Sequence, residues 1–457
     1  MGVTKLPKSN NQSDKKVATI VFGCQMSERD AETLTTLSAD LGYKPTEELK
    51  EADLIIINTC CVRESAENKI LGKIGELKRL KENNPNLKIA VSGCMVQQPG
   101  ALAKLQKRAP HVDIWTGTHN LHNFPAMLEH SHAKGKIAEV VDTPLAITEL
   151  PRREKGKLRA FVNIMYGCNN FCTYCIVPHV RGRERSRPAA EIIGEIKDLV
   201  ANGCREVTLL GQNVNSYGQD FTPTYDFADL LQEVDQISGL ARVRFTTSHP
   251  KDLSDKLIES IAQGRHLCEH IHLPVQSGSN SILKSMNRQY TREYYLSRVA
   301  KIREIIPDVS LTTDIIVGFP GESEDDFAQS LDLVRQVQYS QAFTFLYSKR
   351  SGTLAAVMPD QVPLDVKKRR LQELMKIQTE ASLKWRERMV GRIYEVLVEG
   401  PSKTNPERLT GRTRGNELVV FNGDSELVGK LIPVQMTEAG SWTLVGEVVY
   451  NGHKEQE

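Results

Sequence analysis

The chain has 457 residues, 40% of them hydrophobic and 25% charged, with a formal net charge of +2. One hydrophobic core does not organise a chain of this length, so two or three domains of a soluble globular protein are expected. The apolar runs are shorter than the roughly 18 residues of a membrane-spanning helix, and the small net charge excludes nucleic-acid binding through bulk charge alone.

The N-terminus is polar and lacks the apolar stretch that defines an export signal. Residues 1–16 are therefore predicted to form a disordered tail, and the protein is expected to be cytoplasmic. Because the cytosol is reducing, the nine cysteines of the chain indicate metal or redox chemistry more than a disulfide framework.

Residues 17–142 alternate short β-rich runs with helical patterns. This alternation predicts an α/β domain built on a doubly wound parallel sheet. Strands are expected at VATIVFG, DLIIINT, LKIAVSG and VDIWTG, and helices near residues 28–41, 63–84 and 97–108.

Each of the first three predicted strands ends on a cysteine: Cys24, Cys60 and Cys94. The turns after parallel strands share one edge of a doubly wound sheet, so we expect these thiols to meet although more than thirty residues separate them. Ordinary core packing is the alternative. Cys61 should point away from Cys60 on an extended segment, so one of the two is expected to bind metal.

The central part of the chain predicts a second α/β domain. Residues 143–158 carry prolines and charge without periodicity and are predicted to be a linker. Residues 159–389 contain six strand patterns separated by helical ones and end in a long helical pattern near residues 363–389. This order predicts an open, partial (βα)6 barrel with its chemistry at the C-terminal ends of the strands. The isolated Cys204 and Cys268 are expected to pack in the core.

Three cysteines follow the first predicted barrel strand with the spacing C-x-x-x-C-x-x-C: Cys168, Cys172 and Cys175. A disulfide would leave one thiol unpaired and would close a loop too short for an unstrained bridge. Three thiolates suit a 4Fe-4S cluster with one iron left open for a non-protein ligand. A zinc site completed by His179 is the alternative.

The segments FGCQMSERD, NTCCVRESAENK, SGCMVQQ and FVNIMYGCNNFCTYCIVPHVRGRERSR resemble the methylthiotransferase family of radical S-adenosylmethionine (SAM) enzymes, across nearly the whole chain. The resemblance implies two 4Fe-4S clusters, one of which binds SAM at its open iron. It also implies two SAM molecules, one for the methyl group and one for the radical, and an electron donor such as a flavodoxin or ferredoxin. The implied ligands are Cys168, Cys172 and Cys175 for the SAM cluster, and Cys24, Cys60 and Cys94 for the second.

The sequence has no G-x-G-x-x-G turn after a first strand, so SAM is expected at the strand ends of the barrel. Arg288 is expected to pair with the SAM carboxylate, with a surface salt bridge as the alternative. Gly318 lies in TTDIIVGFPGE, where a glycine is expected to let the adenine approach the backbone. The predicted SAM contacts are Tyr174, Gln276, Ser277, Arg288, Asp314 and Gly318.

Arginines alternate in VRGRERS, where an extended segment would turn them all to one side. Together with KKRR at residues 367–370, they are predicted to form a track for RNA phosphates, with a solvated charged face as the alternative. Residues 390–453 have the short strands of a small antiparallel β-barrel and resemble the TRAM domain, an RNA-binding module. The predicted RNA contacts are Arg181, Arg183, Arg185, Arg187, Arg412 and Arg414.

The motifs look most like the MiaB type of the family, which acts on N(6)-dimethylallyladenosine next to the anticodon of tRNA. The predicted function is addition of a methylthio group to carbon 2 of that base, by a monomer that binds the anticodon stem-loop and no membrane. The alternatives within the family are threonylcarbamoyl-adenosine in tRNA or a ribosomal-protein aspartate as substrate. A non-catalytic iron-sulfur RNA-binding protein is the alternative of another class.

Overall fold

The structure, a computed structural model, describes the backbone of residues 15–61, 64–142 and 156–450, and their side chains apart from residues 64–68. The predicted tail and linker therefore lie almost entirely outside the described residues. The chain divides into two compact units, Met1–Glu154 with Ile176–Arg183, and Lys155–Cys175 with Glu184–Glu457. Within the described residues, no helix is long and apolar enough to cross a membrane.

The first unit contains a six-stranded, all-parallel sheet in the order β2-β1-β3-β4-β5-β6, which confirms the predicted doubly wound architecture. Its strands are β1 Lys15–Val21, β2 Tyr43–Pro45, β3 Leu54–Thr59, β4 Lys88–Gly93, β5 Ile114–Thr116 and β6 Ile137–Glu139. Its helices are α1 Gln25–Ala39, α2 Glu64–Asn83, α3 Cys94–Gln97, α4 Ala101–Arg108, α5 Phe124–Lys134 and α6 Val177–Arg181.

The side chains of strand β3 show that this sheet is covered on both faces. All six of its residues are buried. Ile55 and Ile57 pack into one hydrophobic cluster, whereas Leu54 and Ile56 pack into another. Because successive side chains of a strand point to opposite faces, the two clusters lie on the two sides of the sheet. Each buried aliphatic side chain contributes about 1.5–3 kcal/mol relative to an exposed one.

The structure has two helices where one was predicted near residues 97–108. The first of them begins at Cys94. Helix α3 ends at Gln97, and α4 begins at Ala101 after Gly100, whose φ is 70°. Pro99 lacks a backbone N–H, and it disfavours the helical conformation at the residue before it. Cys94 consequently starts a short helix of its own at the end of β4.

The second unit begins with six parallel βα strands, as predicted for a partial barrel. They form two three-stranded sheets, β7-β10-β11 and β12-β13-β14, and a parallel bridge between Val243 and Leu267 connects β11 to the segment before β12. The strands, with a short β8-β9 pair, are β7 Arg159–Asn163, β8 Met165–Tyr166, β9 Arg185–Ser186, β10 Glu206–Leu210, β11 Arg242–Thr246, β12 His270–His272, β13 Ser310–Val317 and β14 Gln341–Leu346. The helices are α7 Ala189–Ala201, α8 Phe227–Asp235, α9 Asp255–Gln263, α10 Asn280–Ser285, α11 Arg292–Ile305, α12 Glu324–Val337 and α13 Leu364–Glu387.

The C-terminal part of this unit is a closed five-stranded barrel, in the order β15-β16-β17-β19-β18. Its strands are β15 Ile393–Pro401, β16 Leu409–Thr413, β17 Leu418–Phe421, β18 Leu431–Ala439 and β19 Leu444–Val448. Four pairings are antiparallel as predicted, but β17 and β19 pair in parallel. A ring with an odd number of strands cannot alternate direction throughout, so one parallel pair is required.

Buried arginines connect this small barrel to the N-terminal ends of the central strands. Arg242, the first residue of β11, is fully buried and donates to the backbone oxygens of Arg412 at 2.5 Å and Glu395 at 2.9 Å. Arg244 donates to the backbone oxygens of Thr413 and Arg414, both at 2.7 Å. The small barrel is therefore fixed at the end of the central strands opposite to their C-terminal ends.

Candidate functional site

The first unit brings together the thiols at the ends of β1, β3 and β4. Cys24 is the N-cap of α1, Cys60 follows β3, and Cys94 is the first residue of α3. Cys24 and Cys60 are hydrogen bonded to each other, and the charge of Cys24 acts on Cys94. All three thiols are free of disulfides, with Cys24 exposed and Cys60 and Cys94 buried.

Glycines before two of these cysteines allow the strand ends to approach. A Cβ on Gly93, whose φ is 106°, would lie 2.4 Å from the backbone oxygen of Thr59. A Cβ on Gly23 would lie 2.9 Å from the Cβ of Cys60. A real Cβ does not approach other heavy atoms this closely, so a side chain at either position would force the neighbouring strand ends to shift.

Cys61 lies in the same group of thiols, which the prediction of an outward-pointing side chain did not anticipate. Strand β3 ends at Thr59, so the strand alternation does not continue through Cys60 and Cys61. Cys61 is fully buried and donates a hydrogen bond to Cys94, which, together with burial, raises the pKa of Cys61. A thiol that stays protonated is a donor to its neighbour and a poor metal ligand.

The thiols of Cys24 and Cys94 are shifted in the opposite direction. The hydrogen bond with Cys60 is the largest cause that lowers the pKa of Cys24 to about 5, and the positive charge of Arg181 adds to it. The pKa of Cys94 is also lowered, first by the hydrogen bond with Cys61 and then by Arg181. The site therefore favours thiolates, which are the form of cysteine that binds iron.

The second unit holds the other three cysteines in a loop after β8. Cys172 is buried, and Cys168 and Cys175 are half-buried. The amide of Asn287 donates to the backbone oxygens of Asn170 at 3.2 Å and Phe171 at 3.1 Å. Sequence reasoning missed Asn287, although it stands next to Arg288 in the segment MNRQYT, which was singled out.

Arg288 is buried beside this cysteine loop, so the alternative of a surface salt bridge is wrong. Its Nη1 donates to the sulfur of Cys172 at 3.3 Å, and its Nη2 donates to the backbone oxygen of Pro274 at 3.0 Å. Burial lowers the pKa of Arg288, but the nearby groups of Tyr290, Tyr174 and Cys172 raise it, and the net shift is upward. The structure thus places the predicted residues Tyr174, Cys172 and Arg288 in one group.

Gly318 is covered by a side chain of α13. A Cβ at Gly318, whose φ is 73°, would lie 2.3 Å from Cγ of Lys367. Its N–H donates to Glu322 at 2.7 Å, and Arg370 donates to the same carboxylate at 2.7 Å. Lys367 and Arg370 are buried, so their predicted role in a phosphate track is wrong. The side chain of Lys367 therefore lies against the Cα of Gly318.

The other predicted SAM residues lie after β12 and within β13. Gln276 has a φ of 70°, and its N–H donates to the backbone oxygen of Asp314 at 2.9 Å. The carboxylate of Asp314 lies 3.6 Å from Nε2 of His272 and is partly exposed. Ser277 is fully buried, with its hydroxyl 3.4 Å from that of Ser330 on α12, so its side chain has no access to a ligand.

The predicted arginine track is wrong in its geometry. The segment is not extended, because Arg181 ends helix α6 and Gly182, with a φ of 78°, redirects the chain. Arg181 and Arg187 are buried, and each forms an ion pair, with Asp30 at 2.6 Å and with Glu195 at 2.8 Å. Arg183 is exposed and Arg185 is half-buried.

The two arginines predicted to form a basic edge on the small barrel, Arg412 and Arg414, are also paired with carboxylates. Arg412 pairs with Glu399 at 3.2 Å and donates to the backbone oxygen of Asn416. Arg414 binds both carboxylate oxygens of Glu269, at 2.7 and 2.8 Å. Arg414 therefore connects the small barrel to the central barrel, whereas Arg412 is paired within the small barrel.

The donor sets fit iron-sulfur clusters better than single ions. Each set supplies three soft thiol ligands free of disulfides. In the part of the chain that the structure describes, no three Cys, His, Asp or Glu side chains converge as ligands of a single metal ion do. This does not count against a 4Fe-4S cube, since each thiolate of a cube binds a different iron and the sulfurs need not converge.

Three family models match the chain: the radical SAM superfamily over residues 162–334, the Uncharacterized protein family UPF0004 over residues 16–117, and the TRAM domain over residues 387–449. Among solved structures, the radical SAM methyltransferase TsrM from Kitasatospora setae has a TM-score of 0.57 at 14% identity, covering 75% of each chain, which shows the fold alone. The barrel with its cysteine loop therefore defines a radical SAM enzyme, a class that uses a 4Fe-4S cluster and SAM.

Relatives identify the family within this class. A tRNA-2-methylthio-N(6)-dimethylallyladenosine synthase of Desulfitobacterium hafniense (strain Y51) is 68% identical over 454 residues, covering 99% of this chain and 100% of the relative. One of Carboxydothermus hydrogenoformans is 56% identical, covering 96% of this chain and 100% of the relative. The chain belongs to the tRNA-2-methylthio-N(6)-dimethylallyladenosine synthase family. It is an enzyme, which removes the alternative of a non-catalytic iron-sulfur RNA-binding protein.

Proposed function

We propose that this enzyme adds a methylthio group to carbon 2 of N(6)-dimethylallyladenosine next to the anticodon of tRNA. The observation that carries the proposal is the 68% identity to a synthase of that name across 99% of the chain. The geometry supports it because the chain has both a radical SAM cysteine loop and a separate group of thiols. A reaction that inserts sulfur at an unactivated carbon needs both a radical generator and a sulfur source.

Two 4Fe-4S clusters are part of the proposal. Cys168, Cys172 and Cys175 would hold one of them and Cys24, Cys60 and Cys94 the other, each with one iron free of protein ligands. When bound, the first cluster with SAM supplies hydrogen abstraction, the second supplies sulfur, and a second SAM supplies the methyl group. A flavodoxin or ferredoxin is the proposed electron donor.

The protein's own residues position these groups and exclude water. Asn287 fixes the cysteine loop through the oxygens of Asn170 and Phe171. Arg288 places a buried positive charge at Cys172, where it favours an anionic centre. For SAM we retain Tyr174, Gln276 and Asp314, which lie at the C-terminal side of the barrel strands. Ser277 and Gly318 remain proposed contacts through their backbone, since the side chain of Ser277 is buried and glycine has none.

For the RNA, the proposed contacts reduce to Arg183 and Arg185. Both follow helix α6 in sequence, and Arg183 is exposed to solvent. Phosphate contacts of this kind orient the RNA without reading its sequence. Arg183 and Arg185 therefore orient the RNA but do not discriminate the prenylated base.

An assay with three anticodon stem-loops tests the proposed substrate. Their target adenosines would carry N(6)-dimethylallyl, threonylcarbamoyl or no substituent, and the reconstituted enzyme would be supplied with SAM and dithionite under anaerobic conditions. We expect the methylthio nucleoside from the dimethylallyl substrate alone, by mass spectrometry of digested RNA. Modification of the threonylcarbamoyl or the unsubstituted stem-loop instead would reject the proposal.

A further inference from the structure

Arg181 lies inside the first unit, where it faces the thiol group rather than solvent. It is the last residue of α6, whose Ile176 and Val180 pack in the same hydrophobic cluster as Cys61 and Cys94. Thr118 anchors this helix by a hydrogen bond to the backbone oxygen of Val180. The side chain of Arg181 is 6% exposed.

Burying a guanidinium is costly unless it is paired. Asp30 on α1 accepts a hydrogen bond from Arg181 at 2.6 Å and balances its charge. Cys24 is the N-cap of α1, and α6 packs against the short helix α3, whose first residue is Cys94. Arg181 therefore connects the two helices that begin at these cysteines.

We propose that Arg181 is a positioning residue that holds a positive charge beside Cys24 and Cys94 and thereby sets the reduction potential of the cluster they bind. This inference rests on the proposed function, in which Cys24, Cys60 and Cys94 hold a 4Fe-4S cluster. Three thiolates and the cube form an anionic centre, and reduction adds one more negative charge. A fixed positive charge stabilises the reduced form more than the oxidised form, so it raises the potential.

The reduction potential can be measured in a full-length background that lacks the other cluster. The triple variant Cys168→Ala, Cys172→Ala, Cys175→Ala leaves the Cys24, Cys60 and Cys94 site intact. Its reconstituted cluster would be titrated with dithionite and followed by electron paramagnetic resonance. Iron and sulfide analysis of this background comes first. Absence of a cluster there rejects the proposed two-cluster function itself, whereas a bound cluster allows the inference about Arg181 to be tested separately.

Four further substitutions in this background distinguish an electrostatic role from a structural one. Arg181→Gln removes the charge and should shift the midpoint potential to a more negative value. Arg181→Lys keeps the charge and should restore most of the wild-type potential. Asp30→Asn removes the opposing charge and should shift the potential in the positive direction. Arg108→Gln, in the exposed last turn of α4 in the same unit, is the control and should leave the potential unchanged.

The outcomes are decisive in both directions. Opposite shifts for Arg181→Gln and Asp30→Asn, with rescue by Arg181→Lys, support the inference. If Arg181→Gln fails to retain its cluster, the direction of the shift in Asp30→Asn decides the question. A potential that stays constant in Asp30→Asn, or that moves equally in Arg181→Gln and Arg181→Lys, overturns the inference and leaves Arg181 a purely structural role.

Discussion

Arg288 donates a hydrogen bond from Nη1 to the sulfur of Cys172 at 3.3 Å, from a buried position. The same guanidinium is held by the hydroxyl of Tyr290 and the backbone oxygen of Pro274, both at 3.0 Å. Its orientation toward the sulfur is therefore fixed before any cofactor binds. Sequence position suggested that Arg288 pairs with the SAM carboxylate, but the structure gives it a partner on the cysteine loop.

Replacing Arg288 by leucine should make the reduction potential of the SAM cluster more negative. Hydrogen bonds and positive charge at a ligating sulfur stabilise the reduced state of an iron-sulfur cluster. The variant should also lose about 1.5–3 kcal/mol of folding stability with each charged hydrogen bond removed. A redox titration followed by electron paramagnetic resonance measures the potential, in a Cys24→Ala, Cys60→Ala, Cys94→Ala background.

Arg369→Leu is the matched control for Arg288→Leu. Arg369 lies on the exposed face of α13 and pairs with Glu324, with 55% of its side chain exposed. Exposed pairs of this kind contribute at most about 1 kcal/mol. An equal potential in Arg288→Leu and the control would contradict the role of Arg288 at Cys172.

Cys60→Ala and Cys61→Ala should differ although the two cysteines are adjacent. We expect Cys60→Ala to lose about half of the bound iron, because one of two 4Fe-4S clusters loses a ligand. Cys61→Ala should retain its iron, since Cys61 is the protonated partner of Cys94. Anaerobic iron and sulfide analysis checks both variants. Retention of all iron by Cys60→Ala, or loss of iron by Cys61→Ala, would contradict the assignment of Cys60 as the ligand.

The fold was largely predictable because its signals are local and repeated. Buried β-rich runs such as LIIINT, alternating with helical patterns, predicted the parallel sheet and the partial barrel correctly. The strands β2 and β6 were missed because they lack a run of buried apolar residues: one residue of β2 is buried and none of β6, whereas all three of the equally short β5 are. The parallel pairing of β17 with β19 was missed for another reason, since it follows from closure of the ring and not from any local pattern.

The charged residues were predicted less well than the cysteines. Topology alone brought Cys24, Cys60 and Cys94 to one sheet edge, because strand ends are set by the fold. Whether an arginine is buried depends on which carboxylate lies opposite it. Asp30 lies 151 residues before Arg181 in sequence, so the alternation in VRGRERS contained no sign of their pairing.

Gly318→Ala should be more destabilising than Gly321→Ala, although both glycines have a positive φ. The φ values are 73° and 80°, so each alanine suffers a similar backbone strain of about 1–3 kcal/mol. Only at Gly318 does the new Cβ meet another side chain, at 2.3 Å from Cγ of Lys367, whereas no atom lies within 4 Å of it at Gly321. Overpacking adds about 1–3 kcal/mol. Urea denaturation of the two variants gives the difference directly, and equal stability would show that Lys367 moves aside freely.

Arg183→Ala should weaken binding of the anticodon stem-loop, because Arg183 is the exposed member of the proposed RNA contacts. Removing one phosphate contact should reduce the slope of log K against log salt concentration by about 1. Fluorescence anisotropy with a labelled stem-loop, at several salt concentrations, measures this slope. A slope identical to that of the wild type would exclude Arg183 as a phosphate contact.

Comparing Arg414→Ala with Arg183→Ala distinguishes a residue that binds RNA from one that stabilises the fold. Its guanidinium binds Glu269 and the backbone oxygens of Leu267 and Arg265. The variant should therefore lose stability, with each charged hydrogen bond to Glu269 that is removed costing about 1.5–3 kcal/mol. Its salt slope should match the wild type, because a guanidinium held by a carboxylate releases no counterions on RNA binding. A reduced slope with unchanged stability would instead return Arg414 to the RNA-binding surface that its sequence motif suggested.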